Sequence, residues 1–241
     1  MCYDLYHILS TGNGEKAMNF DTGNLKLPLE PNKKLEKLIC DYGQECIYPA
    51  RHIFFEPGMH LKDVVYIMHG RTRHYMVGSD GTEKILYTLS DGWFFGETPC
   101  SVNEPTGLYS KTEIKTTLYK IPLAIYQSLL DNNKLFRDAV LESYAKKMLI
   151  MRYEIANLTF NSCKDRLKRL FCSNADISQL IEDQWYNLKV NYNQYELSTI
   201  VGGSRVTVSK LISELCCDGF IRVLNRTIQV NAKKYIEYSK K

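Results

Sequence analysis

The chain has 241 residues, of which 44% are hydrophobic and 24% are charged, a composition typical of soluble globular proteins with room for two modest domains. No apolar run approaches the length of a membrane span, and the N-terminus lacks the features of a secretory signal, so we expect a cytoplasmic protein without a membrane partner. The eight cysteines are scattered without a CxxC motif, which favours reduced thiols over a disulfide framework or a zinc site.

Charge is unevenly distributed along the chain. Residues 1–160 carry 18 Lys and Arg against 19 Asp and Glu, whereas residues 161–241 carry 13 against 8. The net charge is therefore −1 in the first part and +5 in the last third. A basic C-terminal third indicates a phosphate-bearing partner, although a mildly basic solvated surface would give the same numbers.

The first predicted structural region lies between Cys46 and Ile121. Short runs rich in Val, Ile, Tyr, Phe and Thr alternate there with turn signals, and the segment Ser79–Thr82 (SDGT) is the clearest hairpin turn. Regular spacing of strands and turns predicts an antiparallel β-roll of the cupin-like, double-stranded β-helix type. We expect this roll to form a sensing domain at residues 1–131.

A long helix is predicted next, at residues 132–160. Apolar residues recur there at alternating spacings of three and four, the pattern that keeps one seam facing a partner helix. With fewer than three heptads, the seam predicts either a homodimer, which we favour, or packing of the helix against its own domain. The predicted dimer seam consists of Leu141, Tyr144, Met148, Met151, Ile155 and Leu158.

The last region, residues 161–241, carries the signals of two helices joined by a very short turn. Ser162 and Asp165 predict the start of a short preceding helix, and Asn193 with Glu196 has the spacing of a capping box. Gly202-Gly203 predicts a helix end, because glycine takes the left-handed conformation without steric cost, and Ser204 can cap the next helix.

Two helices joined this tightly must cross steeply, as in a helix-turn-helix. Phe220–Leu224 and Thr227–Val230 are strand-like runs that predict a wing hairpin, with a last short helix after Asn231. The predicted fold is therefore α+β: an N-terminal β-roll, a long dimerisation helix and a C-terminal winged helix-turn-helix.

The outer face of the second helix of this pair is the candidate DNA-reading surface. Arg205 can address a guanine, Lys210 a guanine or a phosphate, and Val206 only a thymine methyl, so we expect an A·T-rich site. Ser204, Thr207 and two wing arginines are expected to touch phosphates. The complete predicted set is Ser204, Arg205, Val206, Thr207, Ser209, Lys210, Arg222 and Arg226.

This order of parts resembles the CRP/FNR family of bacterial transcription regulators over about residues 35–232. The most specific segments are Gly81–Lys84 (GTEK), Phe95–Glu97 (FGE) and the helix-turn-helix around Gly202-Gly203. The resemblance implies an effector bound in the roll, a homodimer formed by the long helix, double-stranded DNA as a partner and contacts with RNA polymerase. We find no catalytic constellation and do not expect an enzyme.

Departures from the family pattern bear on the effector. Cyclic-nucleotide-binding members carry an Arg-Ser or Arg-Thr pair that binds the cyclic phosphate, where this chain has Pro105-Thr106-Gly107. The phosphate of cyclic AMP would therefore have no guanidinium partner here, so we do not expect cyclic AMP as the effector. The iron–sulfur branch needs a cysteine cluster of which only Cys40 and Cys46 match, and the haem branch needs a histidine where this chain has Thr98–Cys100. We therefore expect no cofactor and no metal.

A closer likeness is to the halorespiration regulators of the family, which sense chlorinated phenolic acids. It shares with them the GxEKxLY run at Gly81–Tyr87 and valine in place of the usual recognition-helix glutamate, and it departs from them at Arg205 and Lys210. This likeness implies an aromatic effector that can be anionic, held by a roll rich in rings, although packing of those rings in the core is the simpler interpretation. The predicted effector-binding residues are Tyr75, Tyr87, Gly96, Glu97, Tyr109, Tyr144 and Lys146.

The sequence thus predicts a homodimeric, ligand-responsive DNA-binding regulator acting on an A·T-rich palindrome. Two alternatives remain open at this stage. The protein could be a redox or metal sensor that uses Cys2, Cys40, Cys46 and Cys100, or a ligandless regulator whose roll serves only for interaction and dimerisation.

Overall fold

The structure is a computed structural model that describes residues 20–21, 24–25, 29 and 32–239. A two-residue ladder, β1 (Phe20–Asp21) and β2 (Asn24–Leu25), precedes the first helix, α1 (Lys33–Tyr42). The side chain of Asn32 caps α1 by accepting hydrogen bonds from the backbone N–H groups of Lys34 and Leu35. Cys2, which the sensor alternative requires, lies outside the described residues.

Eight strands and one short helix then form the roll. The strands are β3 (Gln44–Tyr48), β4 (Ile53–Phe55), β5 (Asp63–His69), β6 (Arg71–Val77), β7 (Glu83–Ser90), β8 (Phe94–Phe95), β9 (Tyr109–Thr112) and β10 (Thr116–Pro122), and α2 (Glu97–Val102) lies between β8 and β9. They pair in two antiparallel four-stranded sheets, with the orders β3-β10-β5-β8 and β4-β9-β6-β7. The predicted antiparallel roll is confirmed, including the hairpin turn between β6 and β7.

Strand β5 shows how the roll builds its core. Its successive side chains point to opposite faces of the sheet, and four in a row are buried. Val65 and Ile67 face the second sheet and pack with its Leu89 and with Phe95 of the neighbouring strand β8. Val64 and Tyr66 face the other way and pack against the helices that cover the first sheet. The roll is therefore buried on both faces of this sheet, between the second sheet and a helical layer.

The helical layer includes α3 (Leu123–Asn132) and the long helix α4 (Lys134–Phe160). The 27 residues of α4 give a length of about 40 Å. The side chain of Asn133 caps α4 by accepting from the N–H of Phe136 at 3.0 Å. One face of α4 is buried against the roll by Phe136, Val140, Ser143, Lys147, Ile150 and Glu154.

The C-terminal part contains four helices and a four-stranded sheet. Its helices are α5 (Cys163–Ser173), α6 (Gln194–Val201), α7 (Arg205–Cys217) and α8 (Ala232–Ser239). Its strands are β11 (Ala175–Ile181), β12 (Trp185–Leu188), β13 (Ile221–Leu224) and β14 (Thr227–Asn231), in the order β11-β12-β14-β13. The wing hairpin β13–β14 and the final helix were predicted, whereas α1, α2, α3 and the β11–β12 hairpin were not.

The hairpin β6–β7 of the roll packs directly on the C-terminal part. Its Tyr75 and Ile85 belong to the same buried apolar cluster as Leu197 of α6 and Val208 of α7. Lys84 of β7 donates a hydrogen bond to the carbonyl oxygen of Ile200 at 2.7 Å. The roll and the helix-turn-helix therefore share one continuous core at this hairpin.

Candidate functional site

The turn between α6 and α7 is fixed by caps on both sides. The predicted capping box at the start of α6 is confirmed, with Asn193 and Glu196 each bonded to the other's backbone N–H at 2.9 Å. Gly202 ends the helix in the left-handed conformation at a φ of 66°. The side chain of Ser204 then caps α7 by accepting from the N–H of Thr207 at 3.1 Å. A Cβ on Gly203 would lie 2.9 Å from the sulfur of Cys163, so the turn also packs too closely for a larger residue.

These caps present the first turns of α7 to solvent. Val208 and Leu215 are fully buried on the inner side, while Val206 is 66% exposed on the outer side. An apolar side chain exposed on a helix that offers a buried face is a candidate contact rather than a core residue. Of the predicted α7 set, Ser204, Arg205, Val206, Thr207 and Lys210 are exposed, and Ser209 is half-buried.

Arg205 lies at the contact between α7 and the roll. Its guanidinium lies 4.6 Å from the centre of the Tyr195 ring, a cation–π geometry. Together they line a cleft of about 230 Å³ that also includes Asp80 and Glu83 of the β6–β7 hairpin. The structure therefore holds the first residue of α7 next to carboxylates of the roll.

The two wing arginines differ in their surroundings. Arg222 donates to Gln229 and to Glu182, both at 2.6 Å, and its guanidinium lies over the ring of Trp185. Arg226 is exposed in the tight turn between β13 and β14. Arg222 is thus engaged within its own sheet, whereas Arg226 extends from the wing tip.

The predicted dimer seam lies on α4 beside the face that packs on the roll. Leu141, Met148, Ile155 and Leu158 are 59%, 75%, 61% and 41% exposed, and Tyr144 and Met151 are half-buried. Large apolar side chains aligned in this way form a continuous exposed stripe. These four residues do not pack on their own domain, because the roll covers the neighbouring face of α4 instead.

The roll contains a cavity of about 240 Å³ beside α2. Phe55, Tyr87 and Phe95 contribute rings to its lining, and Thr98, Thr106 and Ser110 contribute hydroxyl groups. The lining also contains Gly96, Glu97 and Glu104, together with the Pro105–Gly107 segment. Of the predicted effector residues, the structure brings Tyr87, Gly96 and Glu97 together in this cavity.

The other predicted effector residues lie elsewhere. Tyr75 and Tyr109 stack on each other with ring centres 5.2 Å apart, on the side of the roll that contacts α6. The hydroxyl of Tyr144 lies 3.0 Å from the hydroxyl of Ser101 on the outside of α2. Lys146 pairs with Glu142 one turn earlier on α4, at 2.7 Å, and is not part of the cavity lining.

Lys147, the residue next to Lys146, is buried where α4 packs on the roll. It is 7% exposed, and its ammonium group donates to the carboxylate of Glu97 and to the carbonyl oxygen of Phe94. Burial lowers the pKa of Lys147, and Glu97 opposes that shift. This ion pair connects the cavity lining directly to α4, and it was not predicted from the sequence.

His74 belongs to the cavity lining as a neutral side chain. Its two ring nitrogens are 3.0 Å from the hydroxyl of Thr72 and 2.9 Å from that of Ser110. Burial, assisted by Lys147, lowers the pKa of His74 to about 3. His74 is thus a buried strand residue whose two ring nitrogens are both hydrogen-bonded.

A second buried ion pair joins the roll, α4 and the helix-turn-helix. Lys84 lies 2.6 Å from Glu154 of α4, which is 2% exposed, and also donates to the carbonyl of Ile200 in α6. Arg166 of α5 donates to the adjacent carbonyl of Val201 at 2.7 Å. Two cations therefore satisfy the free carbonyls at the C-terminal end of α6, where the helix dipole favours positive charge.

The cysteines show no shared site among residues 32–239. Cys40 is exposed, Cys46 is half-buried, and Cys100 is buried with its thiol 3.6 Å from the carbonyl oxygen of Leu61. Burial raises the pKa of the Cys100 thiol to about 11. Within the same part of the chain, no three His, Cys, Asp or Glu side chains are arranged to hold a metal ion, and no helix is long and apolar enough to cross a membrane.

Comparison with known proteins shows which domain profile and which regulators the chain is similar to. Residues 45–133 match the family profile described as the cyclic nucleotide-binding domain. The cAMP-activated global transcriptional regulator CRP of Haemophilus influenzae is 22% identical over 184 residues, which cover 76% of this chain and 82% of that protein.

Two solved structures share the fold over most of their length. The c-di-GMP responsive global regulator CLP of Xanthomonas campestris has a TM-score of 0.70 at 20% identity, covering 81% of this chain and 97% of its own. OCPA-complexed CprK has a TM-score of 0.61 at 19% identity, covering 83% and 92%. At these identities, the likeness to solved structures establishes the fold, and the sequence relatives are regulators rather than enzymes. The chain therefore shares the fold of these regulators, its residues 45–133 are similar to a cyclic nucleotide-binding domain, and its sequence relatives are transcription regulators.

Proposed function

We propose that this regulator binds an A·T-rich palindromic operator as a homodimer and that a small aromatic molecule other than a cyclic nucleotide controls it from the roll cavity. The observation that carries the proposal is the exposed N-terminal face of α7, held by caps on both sides of a three-residue turn. A helix presented in this way fits the major groove, where its first residues meet base edges.

Arg205 and Lys210 supply the hydrogen-bond donors of this face, and Val206 supplies an apolar contact. A bidentate arginine discriminates a guanine by about 1–3 kcal/mol, while valine offers only a methyl contact to thymine. Ser204, Thr207, Ser209 and Arg226 can position the helix and wing on phosphates. Arg222 contributes to phosphate binding only if it releases Glu182, its exposed partner in the sheet.

The exposed stripe of α4 supports the dimer. A second copy of the same stripe would bury Leu141, Met148, Ile155 and Leu158 in a self-complementary interface. A two-fold axis along α4 would present two copies of α7, which is why we expect the operator to be palindromic. Contact with RNA polymerase follows from the family alone.

The cavity supports control by a ligand, and its chemistry argues against cyclic nucleotides. The H. influenzae relative is named as cAMP-activated, but here Pro105-Thr106-Gly107 borders the cavity, and no described lining residue is an arginine or a lysine. CprK belongs to the chlorophenol-sensing branch, and the ring-lined cavity supports an aromatic effector of that general size. Membership of that branch is part of the proposal.

We propose that the effector acts on α7 through α4. A ligand touching Glu97 meets the partner of Lys147 on α4, and Glu154 on the same face of α4 pairs with Lys84, which holds the end of α6. Opening this contact would also separate Arg205 from the carboxylates of the β6–β7 hairpin. A coupling free energy of about 1–3 kcal/mol changes operator occupancy from severalfold to about a hundredfold.

The test is operator selection from random duplexes, followed by titration of the selected duplex at several salt concentrations. We expect steep weakening with salt, because phosphate contacts release counterions, and loss of base discrimination in Arg205→Ala. Lys233→Ala is the matched control, since it removes one positive charge from an exposed position on α8. A flat salt response, or equal base discrimination in Arg205→Ala and Lys233→Ala, would refute the assignment of α7.

A further inference from the structure

The charges around the roll cavity constrain its ligand more narrowly than its shape does. Two carboxylates, Glu97 and Glu104, belong to the lining, and among the described residues no cationic side chain does. Glu104 is exposed at the mouth, so an approaching anion meets negative charge before it enters. Resting on the proposed role of the cavity as the effector site, we propose that its ligand is an uncharged one-ring molecule, not a phosphate, carboxylate or phenolate.

The nearest buried cation is already committed to a protein carboxylate. Lys147 donates to Glu97 and to the carbonyl of Phe94, and its side chain is 9% exposed while that of Glu97 is 1% exposed. An anionic ligand could reach this ammonium only by displacing Glu97, which would leave a buried carboxylate without its partner. Glu97 therefore occupies the place that a ligand's anionic group would need.

The second candidate for positive charge is His74, and its geometry excludes that role. Although His74 lines the cavity, both of its ring nitrogens are already engaged by the hydroxyl oxygens of Thr72 and Ser110. A hydroxyl can both donate and accept, so the neutral ring is fully satisfied. The pKa of His74, lowered to about 3, agrees with a ring that stays uncharged at physiological pH.

What remains in the lining suits a neutral ring. Phe55, Tyr87 and Phe95 form aromatic walls, and Thr98 and Thr106 offer hydroxyl groups that bond equally well to a hydroxyl, an amide or a ring nitrogen. The volume of about 240 Å³ lies below the range of about 300–1,000 Å³ that is usual for drug-sized ligands. One ring with one or two polar substituents fits this space and its hydrogen-bonding groups.

The test uses the full chain and a panel of one-ring compounds in matched pairs, in which an amide is compared with its carboxylate. Benzamide with benzoate and 4-hydroxybenzamide with 4-hydroxybenzoate represent the panel, and cyclic AMP is added as an anion of the family. Ligand-observed NMR near neutral pH detects binding, and Thr98→Trp, which fills the mouth from an exposed position, identifies binding in the cavity.

We expect neutral hits that Thr98→Trp abolishes, each binding at least about tenfold more tightly than its carboxylate partner, because the anion must be desolvated without a counter-charge. Glu97→Gln should narrow or reverse this preference by freeing Lys147. Thr106→Arg should do the same from the other wall, and it keeps the test decisive if Glu97→Gln fails to fold.

Tighter binding of the carboxylates or of cyclic AMP by the wild-type chain would overturn the proposal. So would a panel without a single neutral hit in the cavity. Either result leaves operator binding by α7 untouched, because operator binding is measured separately with Arg205→Ala. If the wild-type chain binds neutral compounds in the cavity but selects no operator, the proposed DNA-binding function is refuted and the proposed ligand class is not.

Discussion

Replacing Lys84 by methionine tests the contact between the roll and the helix-turn-helix. Methionine keeps much of the aliphatic stem but removes the ammonium group, which lies 2.6 Å from Glu154 and 2.7 Å from the carbonyl oxygen of Ile200. Glu154 is 2% exposed, so the variant leaves a buried carboxylate without its nearest counter-charge. Burial raises the pKa of Glu154, while Lys84 and Arg166 oppose that shift, so ionised Glu154 depends on its cationic neighbours.

The expected cost follows from this burial. Removing one partner of a buried ion pair destabilises a protein by about 3–5 kcal/mol, mainly because the other charge is left uncompensated. Arg166 remains near Glu154 and favours its ionised form, so we expect a loss near the lower end, about 3 kcal/mol. The loss should fall mainly on the helix-turn-helix, because its helix α6 loses the cation on its C-terminal carbonyl.

The two tryptophans make this prediction measurable part by part. Trp93 lies in the core of the roll and Trp185 in strand β12 of the C-terminal sheet, so Trp93→Phe and Trp185→Phe backgrounds report on each part separately. In Lys84→Met, the urea midpoint reported by Trp185 fluorescence should fall well below the midpoint reported by Trp93. Lys115→Met, at an exposed position of the same domain, should leave both midpoints unchanged. Adding Glu154→Gln should recover part of the loss. A change below about 0.5 kcal/mol in Lys84→Met would refute the reasoning, since surface substitutions alone stay within that range.

Three further outcomes are expected. The pKa of His74 is about 3 in the folded protein and about 6.5 in the unfolded chain. Its contribution to the free energy of unfolding is therefore complete above pH 6.5 and declines below that pH by about 1.4 kcal/mol per pH unit. The free energy of unfolding in urea should accordingly fall less steeply with acid in His74→Gln than in the wild type. Met148→Glu should shift the sedimentation coefficient from that of a dimer to that of a monomer. Ile177→Glu, at a similarly exposed apolar position outside α4, should not. A dimeric Met148→Glu variant would argue against the proposed dimer seam. Iodoacetamide near pH 8 should modify exposed Cys217 quickly and Cys100 slowly, because burial raises the pKa of Cys100 to about 11. Mass spectrometry measures the modification of each cysteine. Rapid modification of Cys100 would support the redox alternative.

The elements that the sequence predicted well are those whose signals are local. The capping box of Asn193 and Glu196, the helix stop at Gly202 and the cap at Ser204 each need only neighbours within four residues. The turn at Asn225-Arg226 is equally local, since both residues have positive φ and asparagine tolerates that conformation. For these elements, sequence spacing was enough to place the helix-turn-helix and its wing.

The elements that were missed lack such signals or carry misleading ones. The β11–β12 hairpin turns through Glu182 and Asp183, both at positive φ, where glycine or asparagine would have marked the turn. Helix α3 starts after Pro122 without a side-chain cap, so nothing in its first turn distinguishes it from the preceding strand. These elements are held by tertiary packing, which spacing within one segment does not encode.

The charge partner on α4 illustrates the same limit within the site. Lys146 and Lys147 are adjacent in sequence, but successive helix residues point about 100° apart, so only one of them faces the roll. The choice depends on Glu97, which lies 50 positions earlier and meets Lys147 only after β8 and α2 have packed under α4. Sequence alone therefore identified a lysine at this level of the helix but not the one that is buried.

The buried face of α4 also links the cavity lining to the helix-turn-helix through two ion pairs. Lys147 and Glu154 are seven residues apart, so they lie on the same face of one rigid helix, about 10 Å from each other along its axis. Glu97 holds the first of them and Lys84 holds the second, and Lys84 in turn holds the end of α6. A shift of α4 that displaces one pair also displaces the other, since both side chains are almost fully buried and cannot turn to solvent instead. If the pairs act together, the effects of Glu97→Gln and Lys84→Met on operator affinity will be non-additive by more than about 0.5 kcal/mol; additive effects would mean that the two pairs stabilise the fold independently.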